Sequence, residues 1–205
     1  MISCLYSKIK AVQLQEFVII LFVDSLLNRE QKNKLLKLAR ETISHYLVTG
    51  KIEKIPESDP VLKTQMGAFV TLHKGELLRG CIGNMQSKSP LIETIRDMAI
   101  AAATQDPRFP SLEPKELPNI KIEISVLSPL KKISDPDEII VGKHGVLVSN
   151  NFTSGVYLPQ VALETGWNKE EFMNSLCGSK AGMNEDAWKK GECDIYIFTA
   201  EVFSE

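Results

Sequence analysis

Cysteine and histidine are sparse in this 205-residue chain, which has four of the first and three of the second. Cys4, Cys81, Cys177 and Cys193 lie far apart, and no two have C-x-x-C spacing. His45, His73 and His144 are equally scattered. Local spacing therefore offers no zinc site, and neither a metal nor a cofactor is expected. A disulfide framework is not expected either, because the chain is long and cysteine-poor. The pattern suits a reducing cytoplasm, which is the expected location.

An excess of one charge is also missing. The formal net charge is -2. With no global basic field, nucleic-acid binding would need a local patch. The pairs Lys131-Lys132 and Lys189-Lys190 are too short for such a stripe and read as solvated surface. The apolar run from Phe17 to Val23 is too short to span a membrane. Asp24 closes it, and no small-residue cleavage site follows cleanly, so it fits a secretory signal poorly. An upstream start codon or an extra packed element explains it better, and no membrane partner is expected.

What remains is an ordinary globular composition, 43% hydrophobic and 24% charged. The length suits one domain, or two small lobes sharing a core. Asn28 with Gln31 has capping-box spacing. Leu35, Leu36, Ala39, Ile43, Tyr46 and Leu47 then follow helical periodicity, and Gly50 ends it. A hairpin is predicted from Ala68 to His73 and from Glu76 to Ile82, turning at Lys74-Gly75. Ser89 can cap a second helix with Pro90 at its first position.

After a loop carrying Pro107, Pro110, Pro114 and Pro118, the residues Ile120, Ile122, Ile124 and Val126 alternate with polar ones. That alternation predicts a strand with one buried face. A second hairpin is predicted from Gly145 to Ser149 and Gly155 to Leu158, with a short helix starting near Gln160. Asn168 with Glu171 caps a helix running to Lys180. Asp194 to Phe203 reads as one final strand. The expected fold is α+β, with two subdomains of antiparallel hairpins and sheets packed with helices. Residues 67–127 and 139–203 share the order hairpin, helical stretch, strand. They could be related lobes around a cleft, the kind of place where ligands bind.

The run Leu78-Arg79-Gly80-Cys81-Ile82-Gly83 is the most distinctive stretch. Strand interiors disfavour glycine, and two glycines beside a cysteine suggest a close approach to the backbone. The run resembles the signature of the AMMECR family, also called AmmeMemoRadiSam system protein A. Supporting runs stand in the same order. They are Asp106-Pro107-Arg108-Phe109, Ile124-Ser125-Val126-Leu127, His144-Gly145, Leu158-Pro159-Gln160-Val161-Ala162 and Lys180-Ala181-Gly182. The resemblance spans residues 30–205. Residues 1–27 stand as an N-terminal extension outside it, and 28–205 as the AMMECR-like domain. It implies an α+β protein with a larger and a smaller subdomain and a largely undefined activity. It also implies the company of a Memo-type protein and a radical S-adenosylmethionine protein. Resemblance of this kind carries fold further than function.

Each candidate site residue has two readings. Cys81 could be a nucleophile or redox thiol, its pKa lowered by Arg79 on the same face of a regular strand. It could equally be a small buried hydrophobe, because a catalytic cysteine needs a base and only His73 and His144 offer one. Arg79 could hold a carboxylate or phosphate, or pair with Glu76, Asp106 or Glu123. Gly80 and Gly83 could admit a ligand, or make a bulge or tight exit. No phosphate-loop lysine and serine accompany them.

Asp106 and Arg108 sit on the proline-rich loop, as a site or as a turn with an exposed arginine. If that loop covers the hairpin, Arg108 adds a second positive charge, which would suit an anionic small molecule. Gln160 could present its amide to the cleft or bond a helix terminus, and Trp167 reads as core. Three functions follow, in order of preference. The first is a binding or accessory module for Memo-like and radical S-adenosylmethionine proteins. The second is a cysteine-dependent enzyme acting on an anionic small molecule. The third is a nucleic-acid-binding regulator.

Overall fold

The computed structural model describes residues 25–205. Most of the expected N-terminal extension, with Cys4 and the run Phe17 to Val23, lies outside the described residues. Its last three residues do not stand apart from the domain. Leu27 is buried in the first core, and its backbone N–H donates to Glu201 at 3.0 Å. Among the described residues no helix is long and apolar enough to cross a membrane.

Helix α1 (Arg29–Thr49) starts where the capping box places it. Asn28 Oδ1 accepts the Gln31 N–H at 2.9 Å, and Gln31 Oε1 accepts the Asn28 N–H at 2.8 Å. Its apolar stripe of Leu35, Leu36, Ala39 and Ile43 is buried. Strands β1 (Ala68–Lys74) and β2 (Leu77–Asn84) form the first hairpin. Helix α2 (Leu91–Thr104) begins one residue later than expected, so Pro90 is its N-cap and Ser89 does not cap it. The loop before the hairpin supplies the cap instead. Leu91 and Ile92 donate their N–H groups to the carbonyls of Thr64 and Leu62 at 2.8 and 3.1 Å. Those donors would otherwise be orphaned at the helix start.

A short 3-10 turn (Pro114–Asn119) leads into β3 (Ile120–Leu127). Ile120, Ile122, Ile124 and Val126 are buried, as the alternation predicts. Next come β4 (Lys131–Ile133), β5 (Gly145–Ser149) and β6 (Ser154–Tyr157). Helices α3 (Pro159–Thr165) and α4 (Lys169–Ser175) follow, then a π-helical turn (Leu176–Lys180). The helix predicted from Asn168 to Lys180 is therefore α-wound only in its first half. Helix α5 (Ala187–Lys190), β7 (Asp194–Phe198) and β8 (Ala200–Ser204) complete the chain.

Among the described residues the strands make two antiparallel four-stranded sheets, in the orders β2-β1-β3-β8 and β6-β5-β7-β4. Each order reads second hairpin strand, first hairpin strand, the strand after the helical stretch, then a strand from the other unit. Each sheet has its own hydrophobic cluster. Helices α1 and α2 contribute to the first, α3, α4 and α5 to the second. The fold is α+β, as expected.

One expectation is corrected by this topology. The stretch Asp194 to Phe203 is two strands in different sheets, broken at Thr199. Strand β4 likewise follows β3 into the other sheet. The bounds 67–127 and 139–203 thus omit a reciprocal exchange of end strands. The two crossings touch: the Ser128 N–H donates to the Thr199 carbonyl and the Thr199 N–H to Ser128 Oγ, both at 2.9 Å. Pro129 has no N–H to continue the ladder, so the ribbon breaks there and redirects its strands.

Candidate functional site

Strand β2 is an edge strand of the first sheet, and its free edge is closed at Cys81. The Cys81 N–H donates to Asp106 Oδ2 at 2.8 Å, and its carbonyl accepts from Arg108 Nη2 at 3.3 Å. Asp106 is buried and accepts from the Arg108 side chain through Nε at 2.9 Å and Nη2 at 2.7 Å. Covering backbone groups of an edge strand in this way blunts its ability to pair with another chain at that residue. The Arg108 guanidinium holds the Asp106 carboxyl well below the usual carboxylate range, overriding burial, which pushes it up. The proline-rich loop therefore does fold over the hairpin. The Arg108 charge, however, is matched by Asp106.

Arg79 is matched as well. Leu72 opposes Gly80 while His73 opposes Leu78, so Arg79 is the extra residue of a bulge. A bulge re-aims its side chain and breaks the alternation, so the shared strand face assumed for Arg79 and Cys81 does not follow. The Arg79 guanidinium donates to Glu116 through Nε at 3.3 Å and Nη2 at 3.0 Å, and to the Pro110 carbonyl at 2.9 Å. Only 12% of its side chain is exposed. None of Glu76, Asp106 or Glu123 is its partner. The Arg79 hydrogen bonds lower the Glu116 carboxyl to about 2, helped by the Glu113 N–H. Glu116 was not singled out by sequence. Its spacing from Glu113 closes a capping box on the 3-10 turn, a pattern that could have flagged it.

The two glycines meet protein where a side chain would be. A Cβ on Gly80 would sit 2.2 Å from the Ala102 carbonyl oxygen of α2. One on Gly83 would sit 2.3 Å from the Phe69 ring. Gly80 thus lets a helix backbone pack directly on the strand.

Cys81 is half-buried. It lies opposite Thr71, on the sheet face away from the helices, since the neighbours Val70 and Leu72 are buried in the first core. Thr71 Oγ1 donates to Cys81 Sγ at 3.2 Å. Neither His73 nor His144 hydrogen-bonds the thiol among the described residues. Register places Cys81, Thr71, Glu123 and Ser204 in one row across the sheet. Gly83, Phe69, Ser125 and Val202 form the adjacent row.

Val202 also lines a cavity of ≈ 480 Å³ where the second unit meets β8. Its walls include Gly142, Lys143, Gln160, Leu163 and Ala200. Gln160 Oε1 is buried and has no hydrogen-bond partner among the described residues. Strand spacing puts Cys81 on the order of 14 Å from this cavity, three strands away. His144 sits on the turn beside Lys143. Its Nδ1 accepts the Ile140 N–H at 3.2 Å, and burial pulls its pKa down. Arg79, Gly80, Cys81, Gly83, Asp106 and Arg108 therefore gather along β2. His144 and Gln160 stand in the second unit, with no hydrogen bond to Cys81. Among the described residues no three His, Cys, Asp or Glu side chains are grouped to hold a metal ion.

Relatives of known sequence match this arrangement over most of its length. Protein MK0488 of Methanopyrus kandleri is 45% identical over 190 residues, spanning 87% of this chain and 90% of its own. Protein PH0010 of Pyrococcus horikoshii is 42% identical over 182 residues, spanning 83% and 88%. The crystal structure of uncharacterized protein PH0010 superposes with a TM-score of 0.78 at 40% identity, covering 88% of this chain and 94% of that one. The AMMECR1 family profile matches residues 36–203. On that span and on these identities, this chain belongs to the AMMECR1 family.

Proposed function

We propose that this chain is a binding module, accessory to Memo-like and radical S-adenosylmethionine proteins. Its contact surfaces are the sheet face around Cys81 and the cavity beside Gln160. The observation that carries this reading is the pairing of both nearby guanidinium groups. Arg79 is taken up by Glu116 and Arg108 by Asp106. Neither is a free cation that would hold an anionic substrate against the thiol, and among the described residues no base hydrogen-bonds Cys81 Sγ. A nucleophilic thiol needs such activation. The AmmeMemoRadiSam resemblance supplies the partner class, and Gln160 lines the cavity where β8 meets the second unit.

One observation favours a second reading, a cysteine-dependent enzyme. The Thr71 hydroxyl donates to Cys81 Sγ and so orients a thiol that is only half-buried.

A single pair of measurements separates the two. Alkylation of Cys81 is followed against pH with Cys4, Cys177 and Cys193 replaced by serine. Crosslinking with purified Memo-like and radical S-adenosylmethionine proteins is run in parallel. The binding reading expects slow labelling with an ordinary thiol profile, and a crosslinked complex lost on substituting Gln160. Fast labelling well below pH ~8.5 with no complex would transfer the case to the enzyme.

A further inference from the structure

Another cavity, of ≈ 500 Å³, opens where three chain segments meet at the end of the first hairpin. Gly67 ties the three together. A Cβ there would sit 2.2 Å from the Met85 carbonyl oxygen, and the Gly67 carbonyl accepts the Leu127 N–H at 2.9 Å. One wall is the stretch from Met85 to Lys88, which leads from β2 towards α2. Hydrogen bonds fix it. Gln65 Nε2 donates to the Lys88 carbonyl at 2.8 Å, and the Ser89 N–H donates to Ser87 Oγ at 3.1 Å. The other wall is the stretch from Ser128 to Leu130, held at Thr199 by the crossing bonds. The cavity is therefore shaped before anything enters it, which spares a ligand the cost of ordering its walls. Its volume falls in the range of about 300–1,000 Å³ usual for small-molecule sites.

We propose that this cavity binds a small organic carboxylate with an apolar body. Met66, Met85, Pro129 and Leu130 supply the apolar walls. Methionine side chains are flexible and polarizable, so they close around an apolar body of varied shape. The polar end is Ser87 and Lys88. Lys88 is exposed, and it is the one charged residue among the described residues that line the cavity. Ser87 Oγ accepts both the Ser89 N–H and the Thr94 O–H, the second at 2.8 Å. A hydroxyl has two lone pairs and one proton, so Ser87 keeps its own O–H to donate. One ammonium and one hydroxyl match a singly charged carboxylate in charge and in donors. A phosphate dianion would leave one of its charges unmatched.

The stretch from Ser128 to Leu130 carries the chain from β3 into β4, so an occupant rests on a link between the two sheets. No residue of this cavity lines the one beside Gln160, and Cys81 is not among its walls. The site therefore stands or falls separately from the partner-binding reading.

The test titrates the full isotope-labelled chain with octanoate and follows the backbone amide signals by NMR, with octanol as the uncharged counterpart. Octanoate should move the signals of Gly67, Met85, Ser87 and Leu130 and saturate them. Lys88→Gln should weaken octanoate about tenfold, the worth of one charged hydrogen bond, and leave octanol unchanged. Leu130→Asp should abolish octanoate binding, with the signals of the second hydrophobic cluster in place to show that the fold is kept. Lys88→Gln changes only an exposed side chain, so it decides the matter even if Leu130→Asp does not fold. The proposal fails if octanoate at millimolar concentration moves no signal. It also fails if the shifts gather away from the cavity, or if Lys88→Gln binds octanoate as tightly as the parent chain.

Discussion

Asp106 Oδ2 accepts the Cys81 backbone N–H at 2.8 Å, across 25 residues of sequence. A buried carboxylate on the proline-rich loop thus serves as the missing neighbour of an edge strand. Asp106→Ala would leave the Cys81 N–H and the Arg108 guanidinium without their acceptor. The expected loss is about 2–3 kcal/mol of folding stability, since charged hydrogen bonds at a buried acceptor are involved. Urea unfolding measures it. Asp106→Asn should recover only part, because an amide oxygen accepts the N–H but carries no charge for Arg108. Equal stability of all three proteins would show that the edge holds without the clamp.

The Glu116 carboxyl has a folded pKa of about 2 against an ordinary 4.5. Asp106 is shifted in the same direction. A carboxyl depressed in the folded state contributes stability that is complete above its unfolded value. That contribution is lost as pH falls through the folded value. Stability should therefore decline from about pH 4.5 down to about pH 2. Glu116→Gln should flatten that decline while lowering stability at neutral pH. Urea midpoints across a pH series decide this, and an unchanged slope in the variant would show that Glu116 is not among the responsible groups.

Gly80→Ala places a Cβ 2.2 Å from the Ala102 carbonyl oxygen, a backbone atom that cannot swing aside. Helix α2 or strand β2 must move. An overpacked core of this kind loses about 1–3 kcal/mol, read as a fall in melting temperature. Gly75→Ala, at a turn with φ 61 and open space around it, isolates backbone strain from packing. If Gly80→Ala were the milder of the two, the helix contact would not be the reason for glycine here.

Gln160 Oε1 is buried and unpaired. Gln160→Met removes an orphaned acceptor while keeping much of the volume. The isolated protein should gain roughly 1 kcal/mol, visible by thermal denaturation. The same substitution should weaken any complex that uses the cavity. A variant both less stable and fully competent for partner capture would take Gln160 out of the contact surface.

Several features were legible before any tertiary structure. Asn28 with Gln31 and Asn168 with Glu171 are capping boxes whose bonds span three residues, so local chemistry is enough to place them. The alternation from Ile120 to Val126 identified a strand with one buried face, because side chains along a strand repeat every two residues. The runs around Cys81 pointed to the family. They did so through resemblance, without revealing what each side chain touches.

What tertiary structure decided is which groups meet. Arg79 read either as a holder of an anionic ligand or as a partner of Glu76, Asp106 or Glu123, yet it lies on Glu116, on a strand where a one-residue bulge re-aims it. The stretch from Asp194 to Phe203 carries apolar residues on both faces, and periodicity alone cannot show that Thr199 hands it from one sheet to the other. In each case a local pattern is compatible with many partners. The packing of the two clusters and the exchange of end strands select among them. By itself the sequence determined the elements and the family, since those depend on short-range geometry and recurring residues. The pairing of charges and the closed edge at Cys81 depend on long-range contacts, and only the folded chain establishes them.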